Sequence, residues 1–172
     1  MKNLLSALCF LFVVVAVRAQ DINELSKRNG FKDIKLGSPV DSVKGATFKK
    51  DFIELKEFDA KLYEVDNTAY KKVGSADVKS VELKVYKGLI YEIIVTTPID
   101  PNIMRGLEKL YGKAKFDLRT ETYNWKIPDV ISLVYKGIEK DKVITLKYKS
   151  HPMIKTMYAD KQKKVDAIAE DF

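Results

Sequence analysis

The sequence predicts one α+β domain, an antiparallel sheet of about seven strands packed on one side by a helix over Pro101–Tyr111 and by a C-terminal helix. Several short runs repeat apolar residues with a period of two, as half-buried strands do, while two longer segments take up helical spacing behind capping residues. Composition agrees. The chain has 172 residues, 46% apolar and 32% charged, with 8 Gly and 5 Pro. Those proportions exclude collagen, coiled coil and full-length disorder.

The first residues read as an export signal. Lys2 supplies a positive start, Leu4 to Val17 is apolar apart from Ser6, and Val17-Arg18-Ala19 offers small residues for cleavage. An apolar run of about 14 residues is shorter than the roughly 20 that a spanning helix needs. Cys9 follows Leu8 and precedes much of the apolar run, so it is a poor lipid acceptor. We therefore expect a signal peptide over 1–19 and a single domain over 20–172, periplasmic or secreted, with no transmembrane span after processing. A chain of that length buries about 68–70% of its unfolded surface, enough to fold without metal or disulfide.

Along the mature chain, Asp21–Lys27 can form a helical turn, and Phe31–Leu36 is extended between Gly30 and Gly37. Ser38 and Pro39 read as the N-cap and first residue of a short helix that Gly45 stops. Phe52–Phe58 and Lys61–Val65 are strand candidates around a break at Asp59-Ala60. Val81, Leu83 and Val85 alternate with polar residues. Leu89, Tyr91, Ile93 and Val95 share one predicted buried face, leaving Glu92 outside. Tyr86-Lys87-Gly88 joins the two runs, and because Lys87 resists positive φ the expectation is a three-residue loop.

Asp100 caps a helix over Pro101–Tyr111, with Gly112 just past its end. Phe116 and Leu118 alternate out of phase with Tyr123, Trp125 and Ile127, which predicts a bulge at 119–122. Val130–Tyr135 and Lys142–Tyr148 are the last strands. Ser150 and Pro152 open a final helix whose stripe is Ile154, Met157, Tyr158, Val165, Ile168 and Phe172. Val-Tyr-Lys-Gly occurs at 85–88 and again at 134–137, each time between strand-like runs and after a helix signal. A duplicated helix-plus-sheet unit would explain this, as would chance in a lysine-rich chain.

Two stretches carry a resemblance. Leu36-Gly37-Ser38-Pro39-Val40-Asp41-Ser42-Val43 resembles the helix start of BamE/SmpA-type envelope proteins, and Leu107–Lys113 is similar to a helix end found in small exported domains. The resemblance implies an exported α+β domain with a role in envelope assembly. Unlike that type, this chain lacks a usable lipobox and carries more strands.

The missing residues exclude several chemistries. Cys9 is the only cysteine and His151 the only histidine, so the mature chain has no thiol nucleophile, thiolate zinc site or paired-imidazole site. It has no phosphate-binding loop and no Gly-x-Ser-x-Gly elbow. His151 reads as a junction residue, and Trp125 with Tyr123 and Ile127 as core. Glu54, Glu57, Glu82 and Glu92 read as solvent-facing strand positions. No catalytic residue, metal ligand or cofactor is assigned.

Charge is the remaining signal. The net charge is +7, and removing Lys2 and Arg18 leaves +5; the segment 136–164 alone holds nine lysines against three acids. Lys147, Lys149, Lys161, Lys163 and Lys164 form a candidate polyanion surface, and a solvated face is the alternative. Only four of the 31 basic residues are arginine, which argues against sequence-specific nucleic-acid recognition. The sequence thus points to an exported non-catalytic binding or interaction protein whose partner is an anionic polymer or an envelope protein. A hydrolase with an unrecognised carboxylate site is the rival.

Overall fold

β-Branched and aromatic residues dominate the segments between turn residues, and pairing those segments builds one large antiparallel sheet. A computed structural model of the chain describes residues 22–66 and 68–172. The signal peptide expected over 1–19, its cleavage site and the fate of Cys9 lie outside the described residues.

The elements run α1 (Asn23–Arg28), β1 (Gly30–Phe31), β2 (Ile34–Lys35), β3 (Ala46–Glu54), β4 (Phe58–Val65), β5 (Lys72–Val73), β6 (Ala76–Asp77), β7 (Ser80–Tyr86), β8 (Leu89–Pro98), α2 (Pro101–Tyr111), β9 (Lys115–Asp117), β10 (Thr122–Ile127), β11 (Ile131–Ile138), β12 (Val143–Ser150) and α3 (His151–Glu170). Eight strands form the sheet, in the order β3-β4-β7-β8-β12-β11-β10-β9, one more than the sequence suggested. Two small ribbons, β1–β2 and β5–β6, stand apart from it. The order is two four-strand meanders joined back to back, with the last strand of each, β8 and β12, paired from Val143↔Pro98 to Lys149↔Glu92.

One face of the sheet carries the main core. Val81, Leu83, Ile93, Val95, Leu133, Leu146 and Tyr148 pack there with Leu25 of α1 and Ile103 and Tyr111 of α2. Trp125 joins them, and its indole Nε1 donates to Gly112 O at 2.7 Å, tying β10 to the end of α2. Asp100 caps α2 by accepting from Asn102 N at 2.8 Å. On the opposite face, α3 lays Met157 against Phe58, Ala60, Tyr86 and Tyr91. The expectation that both helices share one side is therefore wrong. Ser150 caps α3 directly at the end of β12, so the chain turns onto the face opposite α2 with no linker to carry it round.

Several local expectations are also corrected. Pro39 is extended and bridges to Leu89, so the predicted helix shrinks to a 3-10 turn at Val40–Ser42. The β3–β4 turn falls at Leu55–Glu57, with Asp59 and Ala60 inside β4. Tyr86 pairs with Leu89, so the β7–β8 loop has two residues; Lys87 and Gly88 both take positive φ, at 49° and 80°, as a type I′ turn requires. Residues 118–121 form the β9–β10 turn and not a bulge.

The bulge lies elsewhere. Register shifts between Lys84 and Val85, so Ile90 joins the main core while Tyr91 and Glu92 both turn to the α3 face. This splits the predicted Leu89-Tyr91-Ile93-Val95 stripe. The stripe of α3 is likewise only half used: Met157 is buried, whereas Tyr158, Val165, Ile168 and Phe172 are exposed. Tyr123 stays 39% exposed, packed edgewise on Tyr135 and close to Phe116, while Trp125 is core.

Both sheet edges are irregular. β3 is bulged between Phe48 and Lys50, and Lys49 and Lys50 are exposed; β9 pairs only three residues. On this architecture Ile93→Ala, which empties a fully buried site between β7 and β12, should cost about 2–5 kcal/mol in urea unfolding.

Candidate anion-binding face

The sheet face shared with α3 divides by charge along the β8–β12 junction. In the first meander the charges are paired except at the edge, where Lys50 is exposed with no acidic partner among the described residues. Lys49 Nζ lies 3.2 Å from both Glu64 and Glu82. Lys84 Nζ lies 2.8 Å from Glu54 Oε2 and 3.3 Å from Glu92 Oε1, and Lys149 reaches the other Glu92 oxygen at 3.5 Å. Tyr91 completes this chain by donating its hydroxyl to Glu54 Oε2 at 2.7 Å.

Glu54 and Glu92 are 8% and 4% exposed, which corrects their reading as solvent-facing. Alternation around β3 and β8 suggested an outward face, but α3 and the Tyr91 bulge place that face under cover. Burial alone would raise the Glu54 pKa, yet the hydrogen bonds from Lys84 and Tyr91 outweigh it and hold the carboxyl below its ordinary value. Lys84 mirrors this. Burial acts to lower its pKa, and Glu54 and Glu92 together raise it. A carboxylate held ionised in this way is the opposite of a general acid near neutrality.

In the second meander the same face is basic and open. Register places Lys115 (β9), Asn124 and Lys126 (β10), Ser132, Val134 and Lys136 (β11), and Lys147 and Lys149 (β12) on one side. Lys115, Lys126, Lys136 and Lys147 are exposed, and among the described residues none has an acidic partner within 4.0 Å. Asp117, the acidic strand residue on this side, is occupied by the backbone N–H of Arg119 at 2.9 Å. A groove of about 760 Å³ runs over the sheet edge here, lined by Lys113, Lys115, Asn124, Lys126, Ser132 and His151 among others.

His151 closes one end of the groove, its Nε2 3.2 Å from Ser132 Oγ. Burial, then the Lys126 charge, push its pKa below the ordinary histidine value, so the ring is neutral at pH 7. No cluster of metal-ligating side chains occurs among the described residues.

The five lysines singled out from the sequence fall in two places. Lys147 and Lys149 stand on the open face. Lys161 lies over the β3–β4 turn, bound to Glu57 at 2.8 Å, and Lys164 lines a small pocket there with Glu57 and Asp160. Lys163 is on the same stretch of α3, close enough to lower the Asp160 pKa, although Lys87 at 2.6 Å contributes most to that shift. β4 and β12 are three strand spacings apart, about 14 Å. Lys115, Lys126 and Lys136 were not singled out, because only the register of β9 to β12 shows them beside Lys147. Alternation within those strands was the one signal that could have found them.

Comparison with known protein families, with curated proteins and with solved structures finds no match for this chain.

Two outcomes test the paired half. Glu92→Ala should cost about 1–3 kcal/mol, because it strips an acceptor from two half-buried ammonium groups. Glu54 has a folded pKa below its unfolded one, so its contribution is complete above the unfolded value of about 4.3 and is lost as pH falls through the folded value. Urea midpoints measured from pH 6 to pH 2 should therefore fall less steeply in Glu54→Gln than in the parent.

Proposed function

We propose that the protein is an exported, non-catalytic binding module that engages an anionic polymer through the open lysine face of its second meander. The observation that carries this reading is the contrast across one sheet. Lys49 and Lys84 of the first half are neutralised by Glu54, Glu64, Glu82 and Glu92, leaving only Lys50 at the sheet edge. Lys115, Lys126, Lys136 and Lys147 of the second half have no acidic partner among the described residues, and only Lys149 is paired, with Glu92.

Ammonium groups spaced on neighbouring strands form a flat field and not a fitted pocket, and such a field suits a repeating polyanion better than one small ligand. Lysine is a strongly hydrated point charge, so affinity comes from charge with little geometric selection. The back-to-back meanders support a duplicated unit as the origin of the sheet. The repeated Val-Tyr-Lys-Gly does not, because its first copy ends β7 and makes the β7–β8 turn while its second lies wholly within β11. In one copy the face became an internal contact for α3; in the other it stayed open. Export rests on the sequence of residues 1–19. The buried carboxylates give the hydrolase alternative no support, since they are committed to Lys84 and Lys149.

The test is heparin-column retention of the mature protein and of two variants. Replacing Lys115, Lys126, Lys136 and Lys147 with Gln should move elution to markedly lower salt. The slope of log affinity against log salt should fall by about 3, as expected for four lost contacts. Replacing Lys161, Lys163 and Lys164 with Gln should change much less. Equal elution of the parent and the four-lysine variant would overturn the proposal.

A further inference from the structure

A second cavity lies on the other side of the sheet and shares no residue with the lysine face. It measures about 280 Å³, is bordered by α2, the β5–β6 ribbon, β1 and β12, and opens to solvent on one side. Its wall is apolar: Phe31, Ile103, Leu107, Leu110, Leu146 and the ring of Tyr148. Polar groups stand only at the rim, where Asp100, Asn102 and Ser75 meet the ribbon turn. The volume sits just below the usual range for ligand pockets.

Tyr148 makes this more than a packing gap. It is 4% exposed, on the central strand β12, and its hydroxyl makes no hydrogen bond with any described residue. No side-chain oxygen sealed from solvent lacks a partner among the described residues. The Tyr148 hydroxyl is therefore reached by solvent, and Tyr148 is one of the residues that line the cavity. A phenol reached in this way bonds water, and the oxygen of a ligand entering the cavity would take that water's place. Among the other buried tyrosines, Tyr91 bonds Glu54 and Tyr86 bonds Asp160, whereas Tyr111 shares the unpartnered state of Tyr148 among the described residues.

Gly106 adds a further sign. It sits inside α2, where glycine is less favourable than alanine by about 1 kcal/mol, and it has no positive φ to require it. A Cβ there would meet nothing within 4 Å. The helix thus forgoes a side chain at the point where one would stand over the cavity.

We propose that this cavity binds a small, neutral, largely apolar molecule carrying one hydroxyl or carbonyl oxygen, which pairs with Tyr148. Charge sets the class. Asp100 at the rim repels an anion, and the apolar wall offers no partner to a cation beyond the mouth. The site is independent of the lysine face, so either proposal can fail alone.

The probes are p-cresol and toluene, which match in shape and differ by one hydroxyl, with p-toluate as the charged comparison. Binding is read from methyl and amide chemical shifts of the folded protein. p-Cresol should perturb Ile103, Leu107, Leu110 and Leu146, and p-toluate should not. Gly106→Phe, which fills the mouth and removes a helix glycine, should fold at least as well and lose binding of both neutral probes. Tyr148→Phe should weaken p-cresol about three- to tenfold while leaving toluene unchanged. Absence of shifts with both neutral probes up to their solubility would overturn the site. So would shifts that survive Gly106→Phe, and equal losses for toluene and p-cresol in Tyr148→Phe would overturn the role of the hydroxyl.

Discussion

β8 and β12 are the last strands of two separate meanders, and their pairing makes one sheet out of two four-strand pieces. Lys147 faces Ile94 across this junction, 53 residues away in sequence. Closing that distance costs more loop entropy than closing the local hairpins does. Everything on either face depends on it. The main core spans it through Ile93, Val95, Leu146 and Tyr148, and Glu92 reaches across it to Lys149.

The same junction explains why the two faces differ in character. α3 leaves directly from the end of β12 and folds back across β8, β7 and β4, covering the first meander and leaving the lysine face of the second open. Glu54, Lys84 and Tyr91 therefore had to be satisfied internally, and each is bonded to another member of the group. Lys115, Lys126, Lys136 and Lys147 are left facing solvent, where an ammonium needs no protein partner. The contrast between a neutralised and a basic half follows from the direction of one helix.

How much of this was legible depended on whether a feature is local. The α2 boundaries were readable because Asp100, Pro101 and Gly112 act within their own turn, and Trp125 in the core followed from simple alternation. The β7–β8 hairpin was legible as a hairpin, yet its turn was misjudged: the lysine φ penalty lost to the strand twist that a type I′ turn matches. The Tyr91 bulge was not legible at all. It arises where β8 must serve two cores, and nothing in Leu89–Val95 marks which residue is doubled. Glu54 and Lys84 are 30 residues apart, so their pairing is set by the register of β3, β4 and β7. The basic face was half legible. Alternation put Lys147 and Lys149 outward, but their neighbours come from three other strands.

The irregular edges of the sheet have a consequence of their own. A long sheet ends in rows of backbone donors and acceptors that invite another chain to dock and extend it. Here β3 meets that risk with a bulge at Lys49, a further lysine beside it and a run of exposed side chains from Thr47 to Asp51, while β9 stops after three residues. Two copies brought edge to edge would have to bury those ammonium groups and straighten the bulge. Growth of one copy onto the edge of the next is thereby disfavoured.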